Sequence, residues 1–173
     1  IQKAIYRIFQ ITGSELEVDE DMDSKILMRT SRILVAEDVE TNQRIAKEML
    51  QLVGCEVDIA ENGQEALEMY EQNNYDLIFM DCQMPIMDGY TATSAIRDIE
   101  NSRHYQPIPI IALTAGFDKS DASRCRKSGM NHYITKPFSI SELKEVLYSY
   151  VGHKGTVAPD TSNSLTGENS KQY

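Results

Sequence analysis

The sequence contains no tryptophan and no continuous apolar run approaching the roughly 18 residues needed to cross a membrane. We do not expect its start to be a secretory signal, because no basic segment followed by an apolar stretch and a small-residue cleavage site stands there. Only 17 of the 173 residues are Lys or Arg, against 27 Asp or Glu, so the net charge is −10. This balance argues against a general nucleic-acid binder, which needs a basic surface. We therefore expect no nucleic-acid partner and no direct membrane contact.

Cysteine is scarce, and the spacing of the three cysteines does not match that of a metal site. Cys55, Cys82 and Cys125 are odd in number, far apart and without a C-x-x-C pair. This pattern argues against a disulfide framework or a zinc site, and it favours reduced thiols in a cytoplasmic protein. We expect Cys82 to pack in the interior rather than to sense redox conditions. The three histidines also lack ligand spacing, and His132 is predicted to be a surface or strand residue.

Composition divides the chain into three parts, residues 1–31, 32–151 and 152–173. The first part opens with apolar residues at helical spacing and continues into Glu15–Asp23, where six of nine residues are acidic. We predict a helix followed by a solvated linker. The last part is rich in Gly, Ser, Thr and Asn and is predicted to be a flexible tail. Because the chain begins with Ile1 instead of Met, we expect it to be a piece of a longer protein.

The middle part alternates between short apolar runs and longer segments of helical period. Short, mainly apolar runs of this composition suit buried strands. These runs are Ile33–Ala36, Val57–Ile59, Leu77–Met80, Ile110–Leu113 and Tyr133–Ile134. Strand and helix alternate five times, which predicts an α/β fold: a doubly wound parallel sheet with helices on both faces.

Two of the helical segments show a clear apolar face and recognisable end signals. Gly54, Gly63 and Gly129 are predicted to mark helix ends. Ser139, with Glu142 three residues later, predicts a capping box at the start of the last helix. The residues predicted to share a face are Ile45, Ala46, Met49, Leu50 and Val53 in one helix, and Leu143, Val146, Leu147, Tyr150 and Val151 in the other.

Polar residues follow the apolar runs where each strand ends: Glu37 and Asp38, then Asp81, Thr114 and Lys136. The carboxyl ends of parallel strands lie along one edge of the sheet, where ligands bind. Two like charges about 4 Å apart repel by about 4 kcal/mol at an effective dielectric constant of 20, so three carboxylates there call for a cation. An all-oxygen ligand set suits Mg²⁺ shared with a phosphate. A carboxylate beside that cation and a lysine is well placed to attack a phosphoryl group.

A single Asp at a strand end is more often a turn former or a helix cap than a nucleophile. That simpler explanation weakens when four strands deliver polar groups to the same edge.

Four sequence blocks then carry a family resemblance. They are Leu34–Asp38 (LVAED), Phe79–Gly89 (FMDCQMPIMDG), Ile110–Ala115 (IIALTA) and Tyr133–Phe138 (YITKPF).

Together, in this order, the blocks resemble the receiver domain of response regulators in two-component signalling, most closely the receivers of hybrid histidine kinases. The resemblance covers about 120 residues. It implies a five-stranded flavodoxin-like fold with strand order 2-1-3-4-5. It also implies a phosphorelay function, in which a histidine kinase or a histidine phosphotransfer protein donates the phosphoryl group.

The resemblance assigns roles to the acidic residues. Asp81 matches the phosphoacceptor, and Asp38 matches a direct Mg²⁺ ligand. Glu37 matches the second acidic residue, where the family commonly has Asp. The main-chain carbonyl of Gln83 is implied as a further ligand, and its side chain stands where the family tunes hydrolysis of the acyl phosphate.

The resemblance also assigns the remaining groups. Lys136 matches the lysine that pairs first with the carboxylate and then with the phosphate, and its bond to Pro137 is implied to be cis. Thr114 matches the switch hydroxyl, followed by Ala115 as the small residue that leaves the site open. Tyr133 matches the switch aromatic residue.

Two other functions fit part of this pattern. A magnesium-dependent phosphatase that forms an aspartyl phosphate would use the same chemistry. Such enzymes usually carry a second Asp where this chain has Gln83, and they need a substrate cap for which there is little length. A receiver that only binds partners would usually have lost Asp81, Thr114 or Lys136. A receiver is also not a conventional enzyme, because it accepts a phosphoryl group and loses it slowly.

Overall fold

The computed structural model describes residues 31–116 and 119–152. The predicted N-terminal helix and acidic linker, and almost all of the predicted tail, lie outside these residues. The strands are β1 (Arg32–Ala36), β2 (Glu56–Ala60), β3 (Leu77–Asp81), β4 (Ile110–Thr114) and β5 (His132–Thr135). The helices are α1 (Glu40–Val53), α2 (Gly63–Gln72), α3 (Gly89–Arg103), α4 (Lys119–Ser128) and α5 (Ile140–Tyr150). Among the described helices, none is long and apolar enough to cross a membrane.

The five strands form one parallel sheet in the order β2-β1-β3-β4-β5. This order confirms the fold that the sequence predicts. The register places the last residues of neighbouring strands level with one another, since Ala36 pairs with Met80 and Thr114 pairs with Thr135. Side chains that follow β1, β3, β4 and β5 therefore begin from one edge of the sheet.

Alternating strand residues supply two separate apolar cores, one on each face of the sheet. On the first face, side chains such as Val35 and Phe79 pack with those of α1 and α5. On the second face, side chains such as Leu34 and Met80 pack with residues of α2, α3 and α4. The central strands β3 and β4 are buried along their whole length, as their apolar composition predicts.

The predicted helix faces are correct except at one position. In α5, Leu143, Val146 and Leu147 are buried, as is Val151 just beyond it. In α1 the buried stripe omits Ile45, whose side chain is 42% exposed, because its neighbour Ala46 takes the inward position. Ile45 therefore does not share the buried face of α1 with the other four residues, contrary to the prediction.

The glycine predictions also need one correction. Gly54 follows the end of α1 in a left-handed conformation, with φ 105°, as expected. Gly63 does not end a helix; it is the first residue of α2, after the N-cap Asn62. Its amide donates to the carbonyl of Met87 at 3.0 Å, and a Cβ at Gly63 would lie 2.6 Å from that oxygen. Close approach to the loop after β3 explains this glycine.

The cysteine prediction agrees with the structure. Cys55, Cys82 and Cys125 are all free thiols and all buried. Burial raises the pKa of Cys55 to about 11 and that of Cys82 to about 12. Thiols with such pKa values carry almost no thiolate near neutral pH, so they behave as packing groups.

A capping box begins α5, as the sequence predicts. The Ser139 hydroxyl accepts a hydrogen bond from the amide of Glu142, and a Glu142 carboxylate oxygen accepts one from the amide of Ser139 at 2.7 Å. Hydrogen bonds from the amide and the hydroxyl of Ser139 to this carboxylate hold the pKa of Glu142 below its usual value of 4.5. A lowered carboxylate pKa contributes stability that is present above pH 4.5 and is lost as the pH falls through the folded-state pKa.

We expect Ser139→Ala to lower the free energy of unfolding by about 1 kcal/mol, the usual effect of losing an N-cap side chain. Urea unfolding at pH 7 measures this loss. The variant should also lose somewhat less stability than the wild type between pH 5.5 and pH 3, because the Ser139 hydroxyl no longer lowers the Glu142 pKa, although the amide of residue 139 still does. An equal loss of stability with acid in both proteins would contradict this account of the cap.

Gly89, the first residue of α3, lies against the backbone that carries Asp81. A Cβ at Gly89 would lie 2.0 Å from the carbonyl oxygen of Asp81, and its amide donates to the carbonyl of Cys82 at 3.3 Å. Asp88 caps the same helix end by accepting from the amide of Thr91 at 2.7 Å. A glycine is required here because any side chain would displace the end of β3.

We expect Gly89→Ala to lower the free energy of unfolding by at least about 2 kcal/mol, since a methyl group cannot fit without moving backbone. Gly116→Ala is the matched control, because no atom lies within 4 Å of a Cβ at Gly116. Its stability should change by less than about 0.5 kcal/mol. Denaturant unfolding of the two variants compares them directly, and equal effects would refute the steric explanation.

Candidate functional site

Four strand ends place the predicted site residues around one cleft. Glu37 follows β1 directly, Asp81 and Thr114 are the last residues of β3 and β4, and Lys136 follows β5. All four line the same cleft, together with Asp38. The sequence prediction that these side chains meet at one edge of the sheet is thus matched by their positions.

The ammonium group of Lys136 lies between two carboxylates. Its Nζ is 2.5 Å from Oε2 of Glu37 and 2.5 Å from Oδ2 of Asp81. Burial alone would lower the lysine pKa, but hydrogen bonds and charge from Asp81 and Glu37 raise the pKa of Lys136 above its ordinary value. Lys136 therefore stays cationic and offsets charge at the point where Asp81 faces the cleft.

Asp81 is only 8% exposed, and each of its oxygens has a donor. Oδ1 accepts from the amide of Gln83 at 3.0 Å, and Oδ2 accepts from Lys136. Burial raises the pKa of Asp81, the charge of Glu37 adds to that shift, and the bonds from Lys136 and Gln83 oppose it. The result is a carboxylate held in one orientation at the bottom of the cleft.

Glu37 is almost fully buried, at 1% exposure, and the first turn of α1 holds it in place. Its Oε1 accepts from the side-chain amide of Asn42 at 2.9 Å and from the amide of Val39 at 3.3 Å. Gln43 donates to the main-chain carbonyl of Glu37 at 2.7 Å. Sequence reasoning missed Asn42 and Gln43; an amide side chain near the start of a helix gives no signal of such a role.

Three carboxylates in the cleft have the donor chemistry for a divalent cation. Glu37, Asp38 and Asp81 each offer an oxygen, and these oxygens all lie within 4.8 Å of one another. Asp38 is exposed, whereas Glu37 and Asp81 are buried. An all-oxygen set that includes an exposed carboxylate suits Mg²⁺, which keeps several water ligands, better than it suits zinc. The residues present therefore fit the predicted metal.

The two predicted switch residues lie in different places. The Thr114 side chain is buried in the cleft wall, where its hydroxyl donates to the carbonyl of Gly116. Tyr133 is 39% exposed and lines a separate depression between β5 and α5, with its ring 5.5 Å from that of His132. His132 is an exposed strand residue, as predicted. The Lys136–Pro137 bond is cis, as the resemblance implies.

Comparisons with known proteins agree with this arrangement. The family model of the response regulator receiver domain matches residues 33–148, well over half of the chain. Hybrid signal transduction histidine kinase K of Dictyostelium discoideum is 41% identical over 127 residues, covering 71% of this chain and 10% of that protein. Sensor histidine kinase GacS of Pseudomonas protegens is 38% identical over 152 residues, covering 88% of this chain and 16% of that protein. The chain thus spans only a small part of these relatives.

Two solved structures are similar in both fold and sequence. One is the receiver domain of sensor histidine kinase PA1611 from Pseudomonas aeruginosa, with a magnesium ion in its active-site cleft. It has a TM-score of 0.64 and 41% identity, and the match covers 70% of this chain and 98% of that one. The other is the receiver domain of Ssk1 from Saccharomyces cerevisiae in complex with the histidine phosphotransfer protein Ypd1. It has a TM-score of 0.71 and 30% identity, with 75% and 94% covered.

The sheet order, the acidic cleft with its single lysine and the match to the family model over residues 33–148 lead to one conclusion. This chain belongs to the response regulator receiver domain family.

Proposed function

We propose that this chain is the phosphoacceptor module of a phosphorelay, and that Asp81 takes a phosphoryl group from a phosphohistidine on a partner protein. The observation that carries this proposal is the Lys136 ammonium group, which lies 2.5 Å from the Asp81 carboxylate in a cleft that also contains Glu37 and Asp38. A nucleophile for phosphoryl transfer needs this combination of a fixed carboxylate and nearby positive charge.

The chemistry follows from the contacts of Asp81. A carboxylate oxygen attacks phosphorus as the bond between phosphorus and the histidine nitrogen breaks, and the imidazole leaves with that electron pair. The amide of Gln83 keeps the carboxylate oriented. Lys136 offsets the charge on the transferred oxygens, and the Thr114 hydroxyl can donate to one of them once it leaves Gly116. Mg²⁺, held by Asp38, Asp81, the Gln83 carbonyl and Glu37, would supply further charge neutralisation.

Two solved relatives support the proposed metal and partner. One holds magnesium in its active-site cleft, and the other is bound to a histidine phosphotransfer protein. The partner of this chain is accordingly a histidine phosphotransfer protein or the phosphohistidine helices of a histidine kinase, and the longer protein is a hybrid histidine kinase.

No observation favours the phosphatase alternative, since Gln83 stands where such enzymes need their second Asp. The non-phosphorylated alternative is disfavoured because Asp81, Thr114 and Lys136 all meet in the cleft.

The proposed switch joins the cleft to the surface beside β5. When the Thr114 hydroxyl turns from Gly116 toward the phosphate, space opens behind it, and the exposed ring of Tyr133 moves inward. Coupling between two such sites is typically 1–3 kcal/mol, enough to bias partner binding without refolding the domain.

We expect Asp81→Asn to abolish phosphorylation by acetyl phosphate, because an amide cannot form the acyl phosphate. Mass spectrometry should show a single added phosphoryl group on the wild type in Mg²⁺ and at least tenfold less of it after EDTA treatment. Asp98→Asn is the control, since Asp98 is an exposed carboxylate of α3 outside the cleft. Undiminished phosphorylation of the Asp81 variant would refute its role as acceptor.

Beryllofluoride, which mimics an acyl phosphate, tests the switch separately from the transfer. With Mg²⁺, it should shift backbone amide NMR signals around Asp81, Thr114 and Tyr133 in the wild type. Asp81→Asn should show none of these shifts. Changes confined to the cleft, with residues 132–136 unmoved, would disprove the proposed coupling to β5.

A further inference from the structure

The helix α4 lies on the second face of the sheet, and it buries little of its own surface there. Among the α4 side chains that the structure describes, only those of Cys125 and Ser128 are buried. Cys125 packs in the core of that face, whereas the Ser128 hydroxyl donates to the carbonyl of Cys125 within the helix itself. A helix with so few buried apolar contacts is held weakly. Its polar contacts therefore matter for its position.

One of these contacts joins α4 to the first turn of α3. The guanidinium carbon of Arg124, an exposed residue of α4, lies 4.1 Å from the centre of the Tyr90 ring. A cation within about 6 Å of the face of an aromatic ring is attracted to it. At exposed sites this attraction changes an equilibrium constant by about two- to fivefold. The contact is therefore strong enough to bias the position of a weakly held helix.

Tyr90 is fixed to the backbone that carries Asp81. It follows Gly89, which lies against the Asp81 carbonyl and whose amide donates to the carbonyl of Cys82. The Tyr90 ring is buried and lines the cleft. Burial and a hydrogen bond with the Cys82 side chain raise the pKa of Tyr90, so its hydroxyl stays protonated. Because Tyr90 is held in this way, a displacement of α4 breaks its contact with Arg124.

The same helix also places a carboxylate at the cleft. Asp121, in the first turn of α4, lines the cleft together with Asp81 and Tyr90. The charge of Asp121 reaches Tyr90, since it helps to raise the pKa of that residue. A phosphoryl group on Asp81 adds negative charge to the cleft and repels Asp121. This repulsion acts against the contact that Arg124 makes about one turn further along α4.

We propose that the contact between Arg124 and Tyr90 is a latch, which holds α4 in the position that it takes while the Thr114 hydroxyl is bonded to Gly116. This inference rests on the proposed phosphoacceptor function. The latch and the hydrogen bond from Thr114 to Gly116 occur together in the structure. Phosphorylation opposes both, because the phosphoryl group attracts the Thr114 hydroxyl and repels the first turn of α4. Arg124 thereby sets how readily the domain adopts the switched arrangement.

The test measures the affinity of the full chain for beryllofluoride in Mg²⁺, by titration followed with amide NMR. Arg124→Gln removes the cation from an exposed position. It should tighten beryllofluoride binding about two- to fivefold, because the arrangement that competes with binding has lost the latch. The loss of a positive charge near an anion predicts the opposite change, a weaker affinity. The sign of the change therefore distinguishes a latch from simple charge attraction.

Arg126→Gln is the matched control, because Arg126 is an exposed arginine of the same helix and its loss changes the net charge equally. It should leave the affinity unchanged or slightly weaker. Tyr90→Leu removes the ring and should tighten binding as Arg124→Gln does, and combining the two changes should add nothing further.

The NMR spectrum without beryllofluoride gives a readout that a merely structural role would not move. In Arg124→Gln, the amide signals of residues 119–128 should lie on the lines that join the free and bound positions of the wild type, because the variant shifts a population between the same two arrangements. Arg126→Gln should show no such displacement.

Three results would overturn the inference. Equal affinities of Arg124→Gln and Arg126→Gln would show that the contact with Tyr90 does not hold the helix. Weaker binding by Arg124→Gln alone would show that Arg124 attracts the anion. Additive tightening in the double variant would show that the two side chains act separately. A wild type that gives no response to beryllofluoride would instead refute the proposed phosphoacceptor function, and the latch with it.

Discussion

Two carboxylates, Glu37 and Asp81, are buried at one edge of the sheet, and a single lysine lies between them. Carboxylates a few ångströms apart repel by several kcal/mol at the dielectric constants that apply inside proteins. Burial adds to this penalty, because neither group keeps its full hydration. Lys136 compensates both charges at once, and its own burial is tolerated because both partners favour its charged form. The geometry of the cleft therefore depends on this lysine.

The parallel sheet is what brings the two carboxylates and the lysine together. Neighbouring strands end level with one another, so residues 37, 81, 114 and 136, far apart in sequence, share one edge. The chain segments around these strand ends then lie very close to neighbouring backbone, and glycine allows this because it has no side chain. Gly89 contacts the carbonyl of Asp81, and Gly63 contacts the loop that follows it. Two strands whose residues are all buried, β3 and β4, carry Asp81 and Thr114 and so fix where these side chains begin.

Patterns that repeat along the chain made the fold predictable. Five apolar runs separated by helical segments indicated the parallel sheet, and the polar residues at the strand ends indicated the cleft. The sequence did not reveal features that depend on exact positions in three dimensions. Asn42 fixes Glu37 through a side-chain amide, a contact with no sequence signature. Ile45 shares the helical period of its buried neighbours, yet the face of α1 is too narrow to include it. Ile86, in the loop after β3, has a positive φ of 69°, which periodicity cannot show.

The distribution of packing around the sheet indicates which element can respond to a change at Asp81. α5 is anchored by Leu143, Val146 and Leu147 in the first core. Of the α4 side chains that the structure describes, only Cys125 and Ser128 are buried, and the guanidinium of Arg124 lies 4.1 Å from the centre of the Tyr90 ring. α4 follows the loop after Thr114, so the proposed movement of that hydroxyl would act on a helix with two buried residues among its described side chains. A coupling energy of about 1–3 kcal/mol is comparable with what such sparse contacts supply, whereas it is small against the buried apolar face of α5. In the proposed mechanism, α4 is therefore the neighbouring helix expected to change position, while the strands that carry the cleft stay in place.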